Sequence, residues 1–288
     1  MTARPSPGVG PLIAADRLVH QLGTPGLVIL DASVGKHRGA GRRIPGARPF
    51  DIDGALSDHS GPLPHTMPGA AVFTEEMRSL GVMDTSTVVV YDSAGIYSSA
   101  RAWWMLRAMG FDRAAVLDGG LPAWTAAGYP LEDGGPVAPP GVRGDFTARP
   151  RPGLVVGRGE VAAALADPDA TVLDARARER FSGAAPEPRE GLRGGHMPGA
   201  VNLPFTELQH NGLMLREPEL RAAFTARAGD RERLVFSCGS GVTACVLALG
   251  AELAGYRDLA VYDGSWSEWG LPSDLPVVRG TEGGSPLP

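Results

Sequence analysis

The chain contains the stretch Leu234-Val235-Phe236-Ser237-Cys238-Gly239-Ser240-Gly241-Val242-Thr243-Ala244. Its apolar beginning predicts a buried strand that ends at a single cysteine, and the small residues after the cysteine predict a short loop. The following residues, Ala244–Ala254, predict a helix. Loop N–H groups and a helix N-terminus both favour negative charge, so this arrangement favours a reactive thiolate at Cys238.

A free cysteine can also be a small buried hydrophobic residue without chemical function. Two glycines argue against that interpretation of Cys238, because Gly239 and Gly241 have no side chains with which to fill a core. Glycine also adopts the positive φ angles that a ring of inward-pointing amides needs. We therefore interpret Cys238 as a nucleophile, and Cys245, seven residues later on the predicted helix, as a core residue.

The composition limits the possible classes of protein. A length of 288 residues suggests two domains, and a net charge of −5 gives no sign of a nucleic-acid partner. No apolar run approaches the roughly 18 residues of a membrane span. The N-terminal Met1–Pro11 lacks the apolar core of a secretory signal, and two cysteines do not make a disulfide framework. These features predict a cytoplasmic protein without a membrane partner.

The chain contains an internal duplication. Segments of the first half match segments of the second: Val28–Ala32 with Thr171–Ala175, Ile44–Ala47 with Met197–Ala200, Val88–Asp92 with Leu234–Cys238, Val116–Gly120 with Ala260–Gly264, and Trp124 with Trp269. The spacing is too long for a solenoid repeat, so it indicates a duplicated domain. We predict an N-terminal non-catalytic domain over residues 1–135, a Pro/Gly-rich linker over 136–152 and a C-terminal catalytic domain over 153–288.

Each half alternates predicted strands with predicted helices. The strands are Leu27–Asp31, Val88–Tyr91 and Ala114–Leu117 in the first half, and Thr171–Asp174, Arg233–Ser237 and Leu259–Tyr262 in the second; helices are predicted at Thr74–Leu80 and Ser98–Met109. This alternation predicts an α/β fold in which each half has a mostly parallel sheet with helices on both faces. Asp92 occupies the position of Cys238 in the first half, so only the second half has the nucleophile there.

These motifs, in this order, resemble the two-domain rhodanese-type sulfurtransferases. The resemblance extends from about Asp16 to about Val278, and it includes Arg101–Trp104 and Tyr262–Trp269. Thiosulfate-using members of the family carry Arg-Lys after the cysteine, whereas this chain has Gly239-Ser240, as in 3-mercaptopyruvate sulfurtransferases. The resemblance implies transfer of sulfur from 3-mercaptopyruvate to a thiophilic acceptor through a persulfide on Cys238, with release of pyruvate.

The resemblance also assigns roles to further residues. Arg180 and Arg189, in the pattern Arg-Phe…Glu-Pro-Arg, would bind the carboxylate and ketone oxygens of the substrate. Ser240, His65 and Asp53 would form a hydroxyl–imidazole–carboxylate series that moves a proton or polarises the substrate. The loop amides of Gly239, Gly241, Val242 and Thr243 would hold the transferred sulfur. Arg176 and Arg178 fit either a functional role or a solvated basic loop, and we interpret His196 as a structural residue of a turn.

The implied reaction is ping-pong covalent catalysis that needs no metal and no organic cofactor. The sulfur acceptor would be thioredoxin, a small thiol or cyanide. A thiosulfate sulfurtransferase on the same fold remains an alternative. A non-enzymatic sulfur carrier or binding module explains the presence of Cys238 less well. A cysteine phosphatase would need an arginine to close the loop, and the loop after Cys238 contains none. A dinucleotide-binding protein would need a G-x-G-x-x-G fingerprint that opens a helix after the first strand, and the sequence has no such fingerprint there.

Overall fold

The computed structural model describes residues 10–39, 41–135, 137 and 140–280. The chain forms two compact units. One contains the residues up to Asp58 together with Met67–Arg151, and the other contains His59–Thr66 and the residues from Pro152 onward. Of the N-terminal segment Met1–Pro11 and the predicted linker 136–152, residues 1–9, 136, 138 and 139 lie outside the described residues.

The first unit is an α/β unit. Its strands are β1 (Leu12–Ile13), β2 (Leu27–Asp31), β3 (Arg42–Arg43), β4 (Arg48–Pro49), β5 (Thr87–Tyr91), β6 (Ala114–Leu117) and β7 (Glu132–Asp133). Its helices are α1 (Ala15–Val19), α2 (Ala70–Ser79), α3 (Ser99–Ala108) and α4 (Gly120–Ala126). Five strands form a parallel sheet in the order β1-β6-β5-β2-β4, while β3 and β7 form a separate antiparallel pair.

The apolar run of β5 explains its central place in this sheet. Val88, Val89 and Val90 are all fully buried, as expected for a parallel strand that is covered on both faces. Ile29 and Leu117, from the neighbouring strands, and Trp124 of α4 complete one core cluster with Val89. Helices thus cover the sheet, and the carboxyl ends of β2, β5 and β6 lie at the same edge.

The second unit repeats this architecture. Its strands are β8 (Val155–Val156), β9 (Ala170–Asp174), β10 (Val201–Asn202), β11 (Gln209–His210), β12 (Leu213–Met214), β13 (Arg233–Ser237) and β14 (Asp258–Tyr262). Its helices are α5 (Arg158–Ala166), α6 (Arg178–Ser182), α7 (Glu217–Ala228), α8 (Ala244–Leu253) and α9 (Ser265–Trp269). The main sheet has the order β8-β14-β13-β9-β10 and is parallel throughout.

The strand orders confirm the predicted duplication. Strands β8, β14, β13, β9 and β10 stand in the places of β1, β6, β5, β2 and β4. The predicted strands Leu27–Asp31, Ala114–Leu117 and Arg233–Ser237 are confirmed at both ends, and the other predicted strands gain one residue at their beginning. Among the described residues, no helix is long and apolar enough to cross a membrane.

The described part of the predicted linker packs on the first unit. Phe146 is 1% exposed and stacks edge-on against Phe73 and Phe111. Arg151 donates two hydrogen bonds of 2.6 Å to Asp112. A Pro/Gly-rich composition therefore coexists here with ordered contacts, because Pro and Gly fix turns without preventing the residues between them from packing.

Candidate active site

Cys238 lies at the carboxyl end of the central strand of the second unit. It follows β13, which is paired with β9 on one side and β14 on the other, and it is 1% exposed. The loop Cys238–Thr243 leads directly into α8. In open parallel sheets, ligands bind outside the carboxyl ends of the strands, so the fold places the cysteine where a site is expected.

A hydroxyl group fixes the conformation of the cysteine loop. Ser265 Oγ accepts hydrogen bonds from Cys238 N at 3.1 Å and Gly241 N at 3.0 Å, and it donates to Tyr262 O at 2.8 Å. Ser265 adopts a φ of +48°, which is uncommon for a residue with a side chain, and Gly241 has a φ of +75°. The first residue of α9 therefore holds both ends of the four-residue turn Cys238–Gly241 in place.

The other amides of the loop are available to a bound group. Within the described residues, the main-chain N–H groups of Gly239, Ser240, Val242 and Thr243 donate to no acceptor. The Sγ atom of Cys238 likewise makes no hydrogen bond to any residue that the structure describes. A buried N–H group without an acceptor is unfavourable, so these four donors favour an anionic ligand next to the cysteine.

The matching loop of the first unit holds a carboxylate. Asp92 follows β5 and is fully buried; its Oδ1 accepts from Ala94 N at 2.9 Å, and its Oδ2 accepts from Tyr97 N at 2.9 Å and Ser99 N at 2.8 Å. Burial raises the pKa of Asp92 above the usual aspartate value, and the three amide hydrogen bonds oppose that rise. The loop amides of the first unit are thus occupied by a side chain of the same unit.

His65 and Ser240 meet in the second unit. The segment His59–Thr66 belongs to that unit, and His65 Nδ1 lies 3.0 Å from Ser240 Oγ. His65 has a φ of +58°, a left-handed conformation for a non-glycine residue. Asp53 belongs to the other unit, where its Oδ2 accepts from Gly35 N at 2.7 Å and lies 3.8 Å from Arg38 Nη1.

Arg180 lies against the cysteine loop. A β-carbon built on Gly239 would lie only 3.1 Å from Arg180 Nη2, so a glycine at this position leaves room for the guanidinium group. The side chain of Arg180 is 28% exposed, and its Nε and Nη2 donate to Glu187 at 3.3 and 2.5 Å. The guanidinium is therefore held in a fixed plane at the edge of the loop.

Arg189 reaches the same loop through one serine. Its Nη1 donates to Ser267 Oγ at 2.9 Å, and Ser267 in turn donates to Gly239 O from its hydroxyl at 2.6 Å and from its amide at 2.8 Å. Both predicted arginines thus converge on Gly239. Planar guanidinium groups in this position can bind a carboxylate and a neighbouring carbonyl oxygen.

Arg176 does not lie in a solvated basic loop, which was one of its two interpretations from the sequence. Its side chain is fully buried, and it donates to Asp174, Glu187 and the carbonyl of Gly195. Its guanidinium carbon lies 4.2 Å from the centre of the Trp266 ring. Burial opposes the charged form, but Asp174 and Glu187 outweigh that effect and keep the pKa of Arg176 above the ordinary arginine value.

Two other residues considered from the sequence have structural surroundings. Arg178 is more than half exposed and forms an ion pair with Glu207. His196 is buried, stacks on Phe181 at 3.8 Å and is 2.9 Å from Phe181 O through Nδ1. The sequence assigned no role to Ser265, Ser267 or Glu187, although the first two lie in the motif Tyr262–Trp269 and the third precedes Pro188 and Arg189.

Comparison with known proteins establishes the class. The model of the rhodanese-like domain matches residues 14–127 and 158–271, so the chain belongs to the rhodanese-like family and contains two copies of its domain. The family resemblance predicted from the motifs is confirmed.

Named relatives narrow the class. The chain is 40% identical over 275 residues to the 3-mercaptopyruvate sulfurtransferase of Escherichia coli strain K12, covering 92% of this chain and 96% of the relative. It is 37% identical over 297 residues to thiosulfate/3-mercaptopyruvate sulfurtransferase 1, mitochondrial, of Arabidopsis thaliana, covering 93% and 78%. The crystal structure of SseA from Escherichia coli, a 3-mercaptopyruvate sulfotransferase, has a TM-score of 0.78 and 38% identity, covering 90% and 100%.

Proposed function

We propose that this chain is a 3-mercaptopyruvate sulfurtransferase that carries sulfur on Cys238. The observation that supports this most strongly is the convergence on Gly239 of Arg180, directly, and Arg189, through Ser267, beside a buried cysteine whose loop has unoccupied amides. A 2-oxo acid thiol needs a nucleophile for its sulfur and cations for its carboxylate and ketone oxygens, and the second unit offers both. The E. coli relative supports the same donor.

In the first half-reaction, the Cys238 thiolate attacks the sulfur of 3-mercaptopyruvate. A sulfur–sulfur bond forms and the carbon–sulfur bond breaks, so the electron pair of that bond goes to the carbon and gives the enolate of pyruvate. The proton of the donor thiol ends on that carbon. The products are a Cys238 persulfide anion and pyruvate, and the total charge is unchanged.

The surrounding residues stabilise this step. Arg180 and Arg189 bind the carboxylate and the ketone, and they offset the negative charge that grows on the enolate oxygen. Ser240, whose Oγ is 3.0 Å from His65 Nδ1, moves the proton, and the family resemblance assigns Asp53 to the third place of the series. The amides of Gly239, Ser240, Val242 and Thr243, with Gly241 providing the turn, hold the outer sulfur of the persulfide.

In the second half-reaction, an acceptor takes the outer sulfur. The acceptor, a thiolate or cyanide, attacks that atom and leaves as a persulfide or thiocyanate; the sulfur–sulfur bond to Cys238 breaks, and the thiolate of Cys238 is regenerated. Thioredoxin, a small thiol or cyanide could each be this acceptor, and every step runs without a metal or an organic cofactor. We place the reaction in the cytoplasm, because both cysteines are free thiols and the nucleophile must stay reduced.

We assign catalysis to the C-terminal domain, residues 153–288, and a supporting role to the N-terminal domain, residues 1–135, with residues 136–152 between them. The position of Cys238 is occupied by Asp92 in the first unit, and a carboxylate cannot perform thiolate chemistry. The segment His59–Thr66 is one part of the N-terminal sequence that would contribute to catalysis, through His65.

The proposal is tested by steady-state release of pyruvate from 3-mercaptopyruvate with a small-thiol acceptor. Cys238→Ser should abolish release, while the matched control Cys245→Ser should keep most of it, because Cys245 is a fully buried residue of α8 whose Sγ donates to Gly241 O. Full activity in a folded Cys238→Ser variant would refute the proposal.

Thiosulfate is a second candidate donor, favoured by the name of the Arabidopsis relative, which includes both donors. The same nucleophile could attack the outer sulfur of thiosulfate, with sulfite as the leaving group. The loop after Cys238 carries no basic residue, which supports the monoanionic donor over the dianionic one. Side-by-side initial rates with the two donors decide between them.

A further inference from the structure

A buried carboxylate connects two arginines beside the candidate site. The side chain of Glu187 is 2% exposed, and it accepts from Arg176 Nη1 at 2.8 Å through Oε1 and from Arg180 Nη2 at 2.5 Å through Oε2. A carboxylate this deeply buried is unfavourable unless it is paired, and here each oxygen has its own guanidinium donor.

The charges beside the loop alternate and cancel. Asp174, Arg176, Glu187 and Arg180 form a continuous chain of ion pairs with two negative and two positive members. Arg176 needs both carboxylates, because it is fully buried between them. Arg180 is the last member of this series of ion pairs. Its positive charge is therefore largely compensated by Glu187 before any ligand binds.

Arg189 differs from Arg180 in this respect. Within the residues that the structure describes, Arg189 forms no ion pair, and its hydrogen bond goes to the neutral hydroxyl of Ser267. Of the two guanidinium groups that converge on Gly239, the charge of Arg180 is balanced by a carboxylate and the charge of Arg189 is not. The pair thus offers a ligand two planar sets of donors but a net charge close to one.

We propose that Glu187 is a specificity-determining residue, which cancels the charge of Arg180 and so matches the site to donors with a single negative charge. This inference rests on the proposed function. 3-Mercaptopyruvate carries one carboxylate, whereas thiosulfate carries two charges. A site with a net charge near one stabilises the monoanion and leaves the second charge of the dianion uncompensated.

The test compares donors in Glu187→Gln, which keeps the shape of the side chain and removes its charge. The rate of persulfide formation on Cys238 is measured in single turnovers with thiosulfate and with 3-mercaptopyruvate. The ratio of the two rates should shift toward thiosulfate by about tenfold, as expected for one additional positive charge at contact distance in a partly solvated site. An unchanged ratio would overturn the proposal, even if both rates fall.

Two further variants separate charge from structure. Glu187→Asp keeps the charge on a shorter side chain, so its donor ratio should stay within about twofold of the original, although both rates can fall. Glu207→Gln removes a carboxylate from an ion pair with Arg178 and should leave rates and ratio unchanged. If Glu187→Asp shifted the ratio as much as Glu187→Gln, charge would not be the cause and the proposal would fail.

A binding measurement needs no turnover and no variant that must fold. Methanesulfonate and sulfate have similar tetrahedral shapes but carry one and two charges, and calorimetry gives their affinities for the unmodified chain. We expect sulfate to bind no more tightly than methanesulfonate; a tenfold preference for sulfate would overturn the inference. If neither donor formed a persulfide on Cys238, the proposed function would fail. If a persulfide formed but the site did not discriminate between single and double negative charge, only this inference would fail.

Discussion

Two loops of this chain occupy the same place in two copies of one fold, yet they hold different groups. In the first unit, Asp92 follows the central strand and accepts three hydrogen bonds from the loop and from the start of α3. In the second unit, Cys238 follows the central strand. Ser265 Oγ accepts hydrogen bonds from two of the loop N–H groups, and the remaining loop N–H groups have no acceptor among the described residues. The first loop is filled, and the second is open.

The difference shows what this loop geometry requires. A strand–loop–helix turn gathers N–H donors around one point, and an anion at that point is favoured. The first unit supplies the acceptor from its own chain, as the carboxyl group of Asp92, so the loop contributes to stability. Under the proposed function, the second unit supplies a sulfur that is modified and then restored, so the same geometry binds a changing group. Under the proposed function, one copy of the fold thus holds a structural loop and the other holds a chemical one.

The largest expected effect comes from making the second loop resemble the first. Cys238→Asp places a carboxylate among the open amides and removes the nucleophile, so we expect sulfur transfer from 3-mercaptopyruvate to fall by a factor on the order of 10⁴ or more. Pyruvate release measures the loss, and circular dichroism checks that the variant folds. Residual activity above one hundredth of the original would mean that the cysteine is not the feature that separates the second loop from the first.

Emptying the first loop should affect stability and not chemistry. Asp92→Ala leaves three main-chain amides without their acceptor, and the hydrogen bond from Ser99 N is buried, so we expect the free energy of unfolding to fall by about 3 kcal/mol. Urea titration measures this change, and Asp133→Ala, at an exposed carboxylate of β7, is the matched control. A stability change below about 0.5 kcal/mol, the usual limit for surface substitutions, would show that Asp92 does not stabilise its loop.

Removing the hydroxyl that fixes the second loop should have a smaller effect on activity. In Ser265→Gly, the glycine adopts the φ of +48° without strain, but Cys238 N and Gly241 N lose the hydroxyl that accepts their hydrogen bonds. We expect the rate of persulfide formation to fall by about tenfold, equivalent to one buried hydrogen bond. Asn211→Gly, at another residue with positive φ in an exposed turn, is the control and should behave as the unchanged chain.

The pH dependence of stability provides the smallest and sharpest signal. Burial raises the pKa of Asp92, so the folded state binds its proton more tightly than the unfolded state does. The stability from this group is therefore complete below the ordinary aspartate pKa of about 3.9 and is lost as the pH rises through the higher folded value. Relative to Asp92→Asn, the unchanged chain should lose stability as pH increases above about 4. The opposite slope in paired urea titrations would show that the amides outweigh burial.

Periodicity and small-residue loops were enough to predict most of the fold. The apolar runs of β2, β6 and β13 gave both boundaries of each strand, because a buried parallel strand has few polar residues inside it. The two-residue strands β1, β4, β8 and β10 were not predicted from the sequence. Segments so short have no period, and they are strands only because a neighbouring strand pairs with them.

The candidate site was less predictable than the fold. Cys238 could be identified from its own neighbours in the sequence, but Ser265 acts from 27 positions away and becomes relevant only when α9 meets the loop. Arg176 and Arg178 look alike in the sequence, yet one is buried between carboxylates and the other is paired at the surface. Charge partners such as Glu187 depend on how an irregular loop folds back, which local patterns do not encode.

The most direct test of the account is mass spectrometry of the chain after a single turnover with 3-mercaptopyruvate and no acceptor. We expect one added sulfur atom on Cys238, located by fragmentation of the peptide that it shares with Cys245, its removal when a thiol acceptor is added, and no added sulfur elsewhere. Turnover without an added sulfur on Cys238, or a sulfur found on Cys245 instead, would contradict the claim that the open loop of the second unit is the place where sulfur is held.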